Sequence, residues 1–160
     1  MNSTVNIRYI SFLSIVAALG GFLFGYDTAV ISGTIARVSV QFSLDVISQG
    51  WYVGCALVGS IMGVMCAGVL GDYLGRKNTL FIAAVLFSVS AIGCAVSTDF
   101  NTLVLARIIG GLGIGVVSII SPLYISEISV AQYRGRLVSL YQLAVTIGFL
   151  GEYLVNFGLL

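Results

Sequence analysis

Histidine is absent from this 160-residue chain, which excludes an imidazole proton switch and a histidine metal site. Charge is nearly as scarce. Only 8% of the residues are Asp, Glu, Lys or Arg, against about 25% in soluble domains. The net charge of +1 carries no signature of nucleic acid or of an acidic partner. The three cysteines, Cys55, Cys66 and Cys94, all fall in apolar runs. They form neither a metal-ligand spacing nor a disulfide framework, and they read as buried free thiols. The glycine run 110–115 has no Lys-Ser/Thr after it and lies in an apolar stretch, so it does not read as a phosphate cradle.

Apolar sequence fills the chain instead, at 59% hydrophobic residues. A membrane span needs about 20 apolar residues, and five stretches qualify: approximately 9–34, 50–70, 79–96, 102–123 and 137–157. The first is longer than a signal-peptide core and has no small-residue cleavage site, so it reads as a retained span. Short polar connections are expected at 36–49, 71–78, 97–101 and 124–136. With the N-terminus inside, the inner side holds Arg8, Arg76, Lys77, Arg134 and Arg136, and the outer side only Arg37. That imbalance predicts a cytoplasmic N-terminus. The last span ends almost at Leu160 with no polar tail, so a part of a longer protein is expected. Gly59 and Gly63, and Gly111 and Gly115, form two GxxxG pairs that suit close backbone packing within a membrane.

Two charges stand inside apolar runs, Asp27 in the first span and Arg107 in the fourth. Intramembrane ionisable groups are costly and by default mark a partner or a water-filled path. At about 1.5 Å rise per residue, both lie roughly 8–10 Å below the outer surface, so they are able to meet. Burial disfavours a charged carboxylate and a neighbouring arginine favours it. A site where these effects compete is suited to loading and releasing a proton; the alternative is a static ion pair. Glu152, in the outer half of the fifth span, is either a rival partner for Arg107 or a solvated group near the surface. In the same span Gln142, Thr146, Tyr153 and Asn156 fall within roughly 40° of one face, with Phe149 on that face. Amides and hydroxyls there suit a neutral polyhydroxylated ligand, or alternatively glue helices together. At the inner edge, Asp72 with Arg76 and Lys77, and Glu127 with Arg134 and Arg136, pair acid with base. They suit a latch that holds one state of a rocking protein, or anchoring by snorkelling cations.

Three segments carry a resemblance. They are Gly-Tyr-Asp-Thr-Ala-Val-Ile-Ser-Gly at 25–33, the Gly-x-x-x-Asp-x-x-Gly-Arg-Lys turn at 68–77, and Arg-Ile-Ile-Gly-Gly at 107–111 leading into Tyr-Ile-Ser-Glu and Arg-Gly-Arg. The chain resembles the N-terminal part of a sugar porter of the major facilitator superfamily, nearest in kind to bacterial xylose–proton and galactose–proton symporters. The resemblance implies an all-α polytopic membrane fold, with residues 1–160 forming five helices of an incomplete six-helix bundle. It implies Asp27 as the proton-coupling carboxylate with Arg107 as partner, and Gln142 and Phe24 as sugar contacts. Thr146 and Phe149 join them from the polar face. Asp72, Arg76, Glu127 and Arg134, with the neighbouring Lys77, match the family's inner charge network. There are departures. Tyr73 stands where a basic residue is common, Val130 replaces a proline, Phe149 stands where the xylose symporter has glutamine, and Glu152 stands where a small residue is expected.

The resulting expectation is a proton-coupled transporter of a monosaccharide in the inner (cytoplasmic) membrane, working by alternating access. Its partners are the sugar, the proton, the bilayer and the missing C-terminal half. No metal, no organic cofactor and no enzymatic chemistry are implied. The alternatives are a membrane sugar sensor and a truncated, non-transporting fragment.

Overall fold

The computed structural model describes the backbone of residues 7–158, with side chains from residue 10 onward. The side chain of Arg8 and the end at Leu160 lie outside the described residues. Five helices follow one another: α1 (Ile7–Gln41), α2 (Val46–Tyr73), α3 (Arg76–Val96), α4 (Phe100–Ile128) and α5 (Arg134–Gly158). Each is long and apolar enough to cross a membrane. The class is the all-α membrane fold that the resemblance implies.

The helices overrun the apolar spans. The first connection closes from 36–49 to residues 42–45, and the second from 71–78 to residues 74–75. Hydropathy marks only the part of a helix that matches hydrocarbon, whereas i→i−4 hydrogen bonding continues past it wherever the backbone allows. The fourth connection shortens likewise, because α4 continues through Pro122 to Ile128. A proline is tolerated in such a helix where neighbouring helices re-satisfy the backbone. Here the adjacent Ser121 hydroxyl donates to the Ala17 carbonyl of α1, which pins this turn against its neighbour.

Two turns have clear local causes. Asp45 caps α2, its carboxylate accepting the Ser48 N–H at 3.1 Å. The Ser48 hydroxyl and N–H together hold the Asp45 carboxyl below the usual carboxylate range. A depressed folded value means that the cap contributes above the unfolded pKa and is lost as pH falls through the folded one. Protection of the Ser48 amide against exchange, taken relative to the intrinsic rate at each pH, is therefore expected to fall in acid, and to lose that pH dependence in Asp45→Asn. At the second turn Gly75 has φ of 80°, a left-handed conformation that favours glycine. It lets α3 start immediately, with the Thr79 hydroxyl donating to the Leu70 and Gly75 carbonyls at 3.0 Å each.

α4 is the central helix and packs against all four others. The two GxxxG pairs interlock. A Cβ on Gly59 would stand 3.1 Å from the Gly111 Cα, and one on Gly115 only 2.9 Å from the Gly63 Cα. These pairings make α2 and α4 parallel. They also put Arg107, one turn before Gly111, level with Cys55, one turn before Gly59. α1 and α5 approach in the same manner: a Cβ on Gly25 would lie 3.2 Å from the Phe149 nitrogen, and one on Gly148 2.9 Å from the Tyr26 nitrogen. α1 and α4 run antiparallel, since Gly20 meets Val117 while Ala17 meets Ser121.

Candidate ion-coupling and ligand site

Asp27 lies half-buried on α1, in the half of the bundle that ends at the 42–45 turn. It lines a cavity of about 260 Å³ between α1, α2 and α4, with Phe24 and Thr28 beside it, Ser60 across on α2 and Ser118 on α4. Among the described residues Asp27 is the one ionisable group in that lining. The three hydroxyls each donate to a carbonyl of their own helix: Thr28 to Phe24 at 2.7 Å, Ser60 to Leu57 at 2.9 Å, and Ser118 to Gly115 at 2.8 Å. Their oxygens keep acceptor capacity, so the cavity offers acceptors and one carboxylate against an otherwise apolar wall.

Arg107 is buried, at 6% exposure. No ion pair joins it to Asp27 among the described residues, although its charge reaches Asp27 electrostatically. Its guanidinium stands 5.1 Å from the centre of the Tyr52 ring. Its Nε and Nη2 are buried without a hydrogen-bond partner in this structure. Tyr52 was not singled out by the sequence. A tyrosine near a span end reads as an interfacial anchor, and only its rotation toward α4 reveals the contact. Glu152 is 4% exposed, so it is not solvated, and no ion pair joins it to Arg107 among the described residues. Its Oε2 is likewise buried without a partner.

The polar face of α5 divides. Gln142, Thr146 and Tyr153 are exposed on the outside of the five-helix body, with the Thr146 hydroxyl donating to the Gln142 carbonyl at 3.1 Å. Asn156 instead packs on Gly33 of α1, where a Cβ would meet its amide carbon at 2.7 Å. Phe149 and Phe24 are partly buried and pack on the same apolar core around Val145 and Tyr141. The structure thus brings Phe24 to Asp27 in one cavity and leaves Gln142 and Thr146 on an open face.

At the opposite, basic end, Arg76 bridges two acids. Its Nη1 donates to Asp72 at 2.9 Å and its Nε to Glu127 at 3.2 Å. Gly71 makes room, since a Cβ there would meet the Ile120 Cδ1 at 2.7 Å and crowd the guanidinium. The bridge ties the α2–α3 turn to the last turn of α4. Lys77 and Arg134 are exposed and form no ion pair within this network among the described residues. Lysine presents a point charge where arginine presents a planar fork. Arg76→Lys is therefore expected to keep one carboxylate contact and lose the other, and Arg76→Ala to lose both. Limited proteolysis at the 74–75 turn is the check, with cleavage rising in the order wild type, Lys, Ala.

Residues 13–160 match the family model described as "Sugar (and other) transporter". Among similar proteins are a glucose transport protein of Synechocystis, 45% identical over 96% of this chain and 33% of its own length, and an arabinose-proton symporter of Bacillus subtilis, 44% identical over 94% and 32%. A D-xylose-proton symporter of Escherichia coli is 40% identical over 98% of this chain and 37% of its own. The chain spans about a third of the length of these relatives. Among solved structures, the proton:xylose symporter XylE bound to 6-bromo-6-deoxy-D-glucose superposes with a TM-score of 0.88 at 39% identity, over 95% of this chain and 38% of that one. The inward-open form of XylE from E. coli does so at 0.87 and 39%, over 94% and 40%.

Proposed function

Because this chain belongs to the sugar (and other) transporter family, with the five-helix fold of part of a major facilitator superfamily transporter, we propose that it serves in proton-coupled uptake of a monosaccharide. In this reading Asp27 takes a proton from the outer side and Arg107 biases the protonation of Asp27. Phe24 borders the sugar path, and Gln142 and Thr146 meet the sugar from the open face of α5, where a second half of the transporter would close the cavity. The protein lies in the cytoplasmic membrane with its N-terminus inside, in keeping with the excess of basic residues on that side.

The observation that carries the reading is Asp27 itself: a half-buried carboxylate at membrane depth, the sole ionisable group among the described residues that line its cavity, under the influence of a buried arginine with which it forms no ion pair. A locked ion pair would resist protonation, whereas a carboxylate held near a charge across a gap is able to exchange one. The five helices resemble the ligand-bound and inward-open forms of XylE almost equally, with TM-scores of 0.88 and 0.87. That supports movement of this bundle as a rigid body in alternating access, with the Asp72–Arg76–Glu127 bridge steadying it from within.

The test is uptake of labelled arabinose, xylose, galactose and glucose into membrane vesicles containing the protein expressed from its own gene. Accumulation that follows an imposed proton gradient and collapses with a protonophore supports the reading. Saturable uptake indifferent to the gradient would leave transport but remove coupling. Binding without uptake would favour a sensor.

A further inference from the structure

Arg107 is a buried cation whose Nε and Nη2 have no hydrogen-bond partner in this structure. Among the described residues the contact that orients it is the face of Tyr52. We propose that Tyr52 is a positioning residue for Arg107, its ring face holding the guanidinium and its hydroxyl tied to Thr34, so that the charge acting on Asp27 keeps a fixed place. The proposal rests on the proton-coupling reading above.

The geometry is specific. Tyr52 is 2% exposed, so its ring has no freedom to swing to solvent. Its hydroxyl lies 3.0 Å from the Thr34 hydroxyl. Thr34 donates its one proton to the Val30 carbonyl at 2.8 Å, so the shared hydrogen bond is donated by Tyr52 and accepted by Thr34. The ring is thereby fixed at its far end to α1, while its face meets a guanidinium from α4. One side chain of α2 joins the helix that carries Asp27 to the helix that carries Arg107. A cation over an aromatic face is attracted by the ring quadrupole, most strongly where water is excluded.

The other groups around Arg107 do not substitute for this contact. On α1 its charge reaches Asp27, on α2 Cys55, and on α3 Cys94, all through space. On α5 the buried acid is Glu152, without an ion pair among the described residues. Removing the ring therefore frees Arg107 to turn toward one of the two carboxylates, which changes how Asp27 takes up a proton.

The experiment uses the protein expressed from its own gene in membrane vesicles, with Tyr52→Phe, Tyr52→Leu and Thr34→Val. The first readout is the rate at which butanedione modifies Arg107, measured by peptide mass spectrometry. The second is the pH profile of gradient-driven uptake. Tyr52→Phe keeps the ring and should stay within about twofold of wild type in both, since the π-face is retained. Tyr52→Leu should raise Arg107 labelling about tenfold and move the midpoint of the pH profile by about half a unit or more, the scale of a lost cation–π contact. Thr34→Val removes the same hydroxyl tie as Tyr52→Phe while keeping the ring, so it should match Tyr52→Phe. If Tyr52→Leu does not fold, the contrast of Tyr52→Phe with Tyr52→Met serves the same purpose. Labelling at the wild-type rate in the ring-less variant would overturn the proposal, as would faster labelling with an unmoved pH profile. If wild-type uptake ignores the proton gradient, the coupling reading fails, and the labelling arm by itself still decides whether Tyr52 holds Arg107.

Discussion

Asp27→Asn is expected to abolish accumulation against a gradient while leaving the fold in place. Asparagine matches the carboxylate in shape and hydrogen-bonding reach but cannot ionise. A gradient of about one pH unit is worth about 1.4 kcal/mol per proton, enough for roughly tenfold accumulation at one proton per sugar. The variant should bring the inside concentration only to the outside level, about a tenfold loss under those conditions. Exchange of labelled for unlabelled sugar should persist, because that half-reaction needs no net proton movement. Stability should change little, since among the described residues Asp27 forms no direct ion pair whose loss would strand Arg107; breaking a true buried pair costs about 3–5 kcal/mol. Thermal unfolding in detergent and the accumulation ratio, measured on one preparation, check both halves. Undiminished uphill uptake in Asp27→Asn would end the coupling reading.

The second large effect is structural. Gly63→Ala and Gly115→Ala are expected to destabilise the bundle, and Gly115→Val to prevent α2 and α4 from packing. A Cβ on Gly115 would meet the Val64 nitrogen at 2.8 Å and the Gly63 Cα at 2.9 Å. These are backbone atoms, which have no flexible end to move aside, so the helices themselves must separate. Overpacking of this kind costs about 1–3 kcal/mol for small additions and more for larger ones. Gly50→Ala and Gly54→Ala provide the control, since nothing stands within 4 Å of a Cβ at either position. There alanine should be neutral or stabilising by up to about 1 kcal/mol, because it forms helix better than glycine. Midpoints of thermal unfolding in detergent should separate the two pairs. Equal midpoints would mean that the α2–α4 contact is looser than the structure places it.

The family's turn motif acquires a physical reading from the same kind of packing. Gly71 is small because the Arg76 guanidinium and Ile120 occupy its side-chain space, and Gly75 is glycine because its φ is 80°. Arg76 can then reach both Asp72 and Glu127. The spacing in sequence thus encodes one arginine bridging three helices.

What the sequence by itself determined follows from properties that are local or one-dimensional. Apolar length sets the number of membrane helices, glycine spacing marks the faces that approach, and rise per residue sets the depth of Asp27 and Arg107. Rotation about each helix axis, and the choice of neighbour, depend on how all five helices pack at once. Only the tertiary structure therefore turned Tyr52 beneath Arg107, left a gap between Arg107 and Asp27, and buried Glu152 rather than solvating it. It likewise split one polar stripe of α5, setting Asn156 into the glycine-made contact at Gly33 and leaving Gln142, Thr146 and Tyr153 on the open face. A periodicity of 3.6 residues places side chains on a common face, but the neighbouring backbone decides which of them it can approach closely enough to bury.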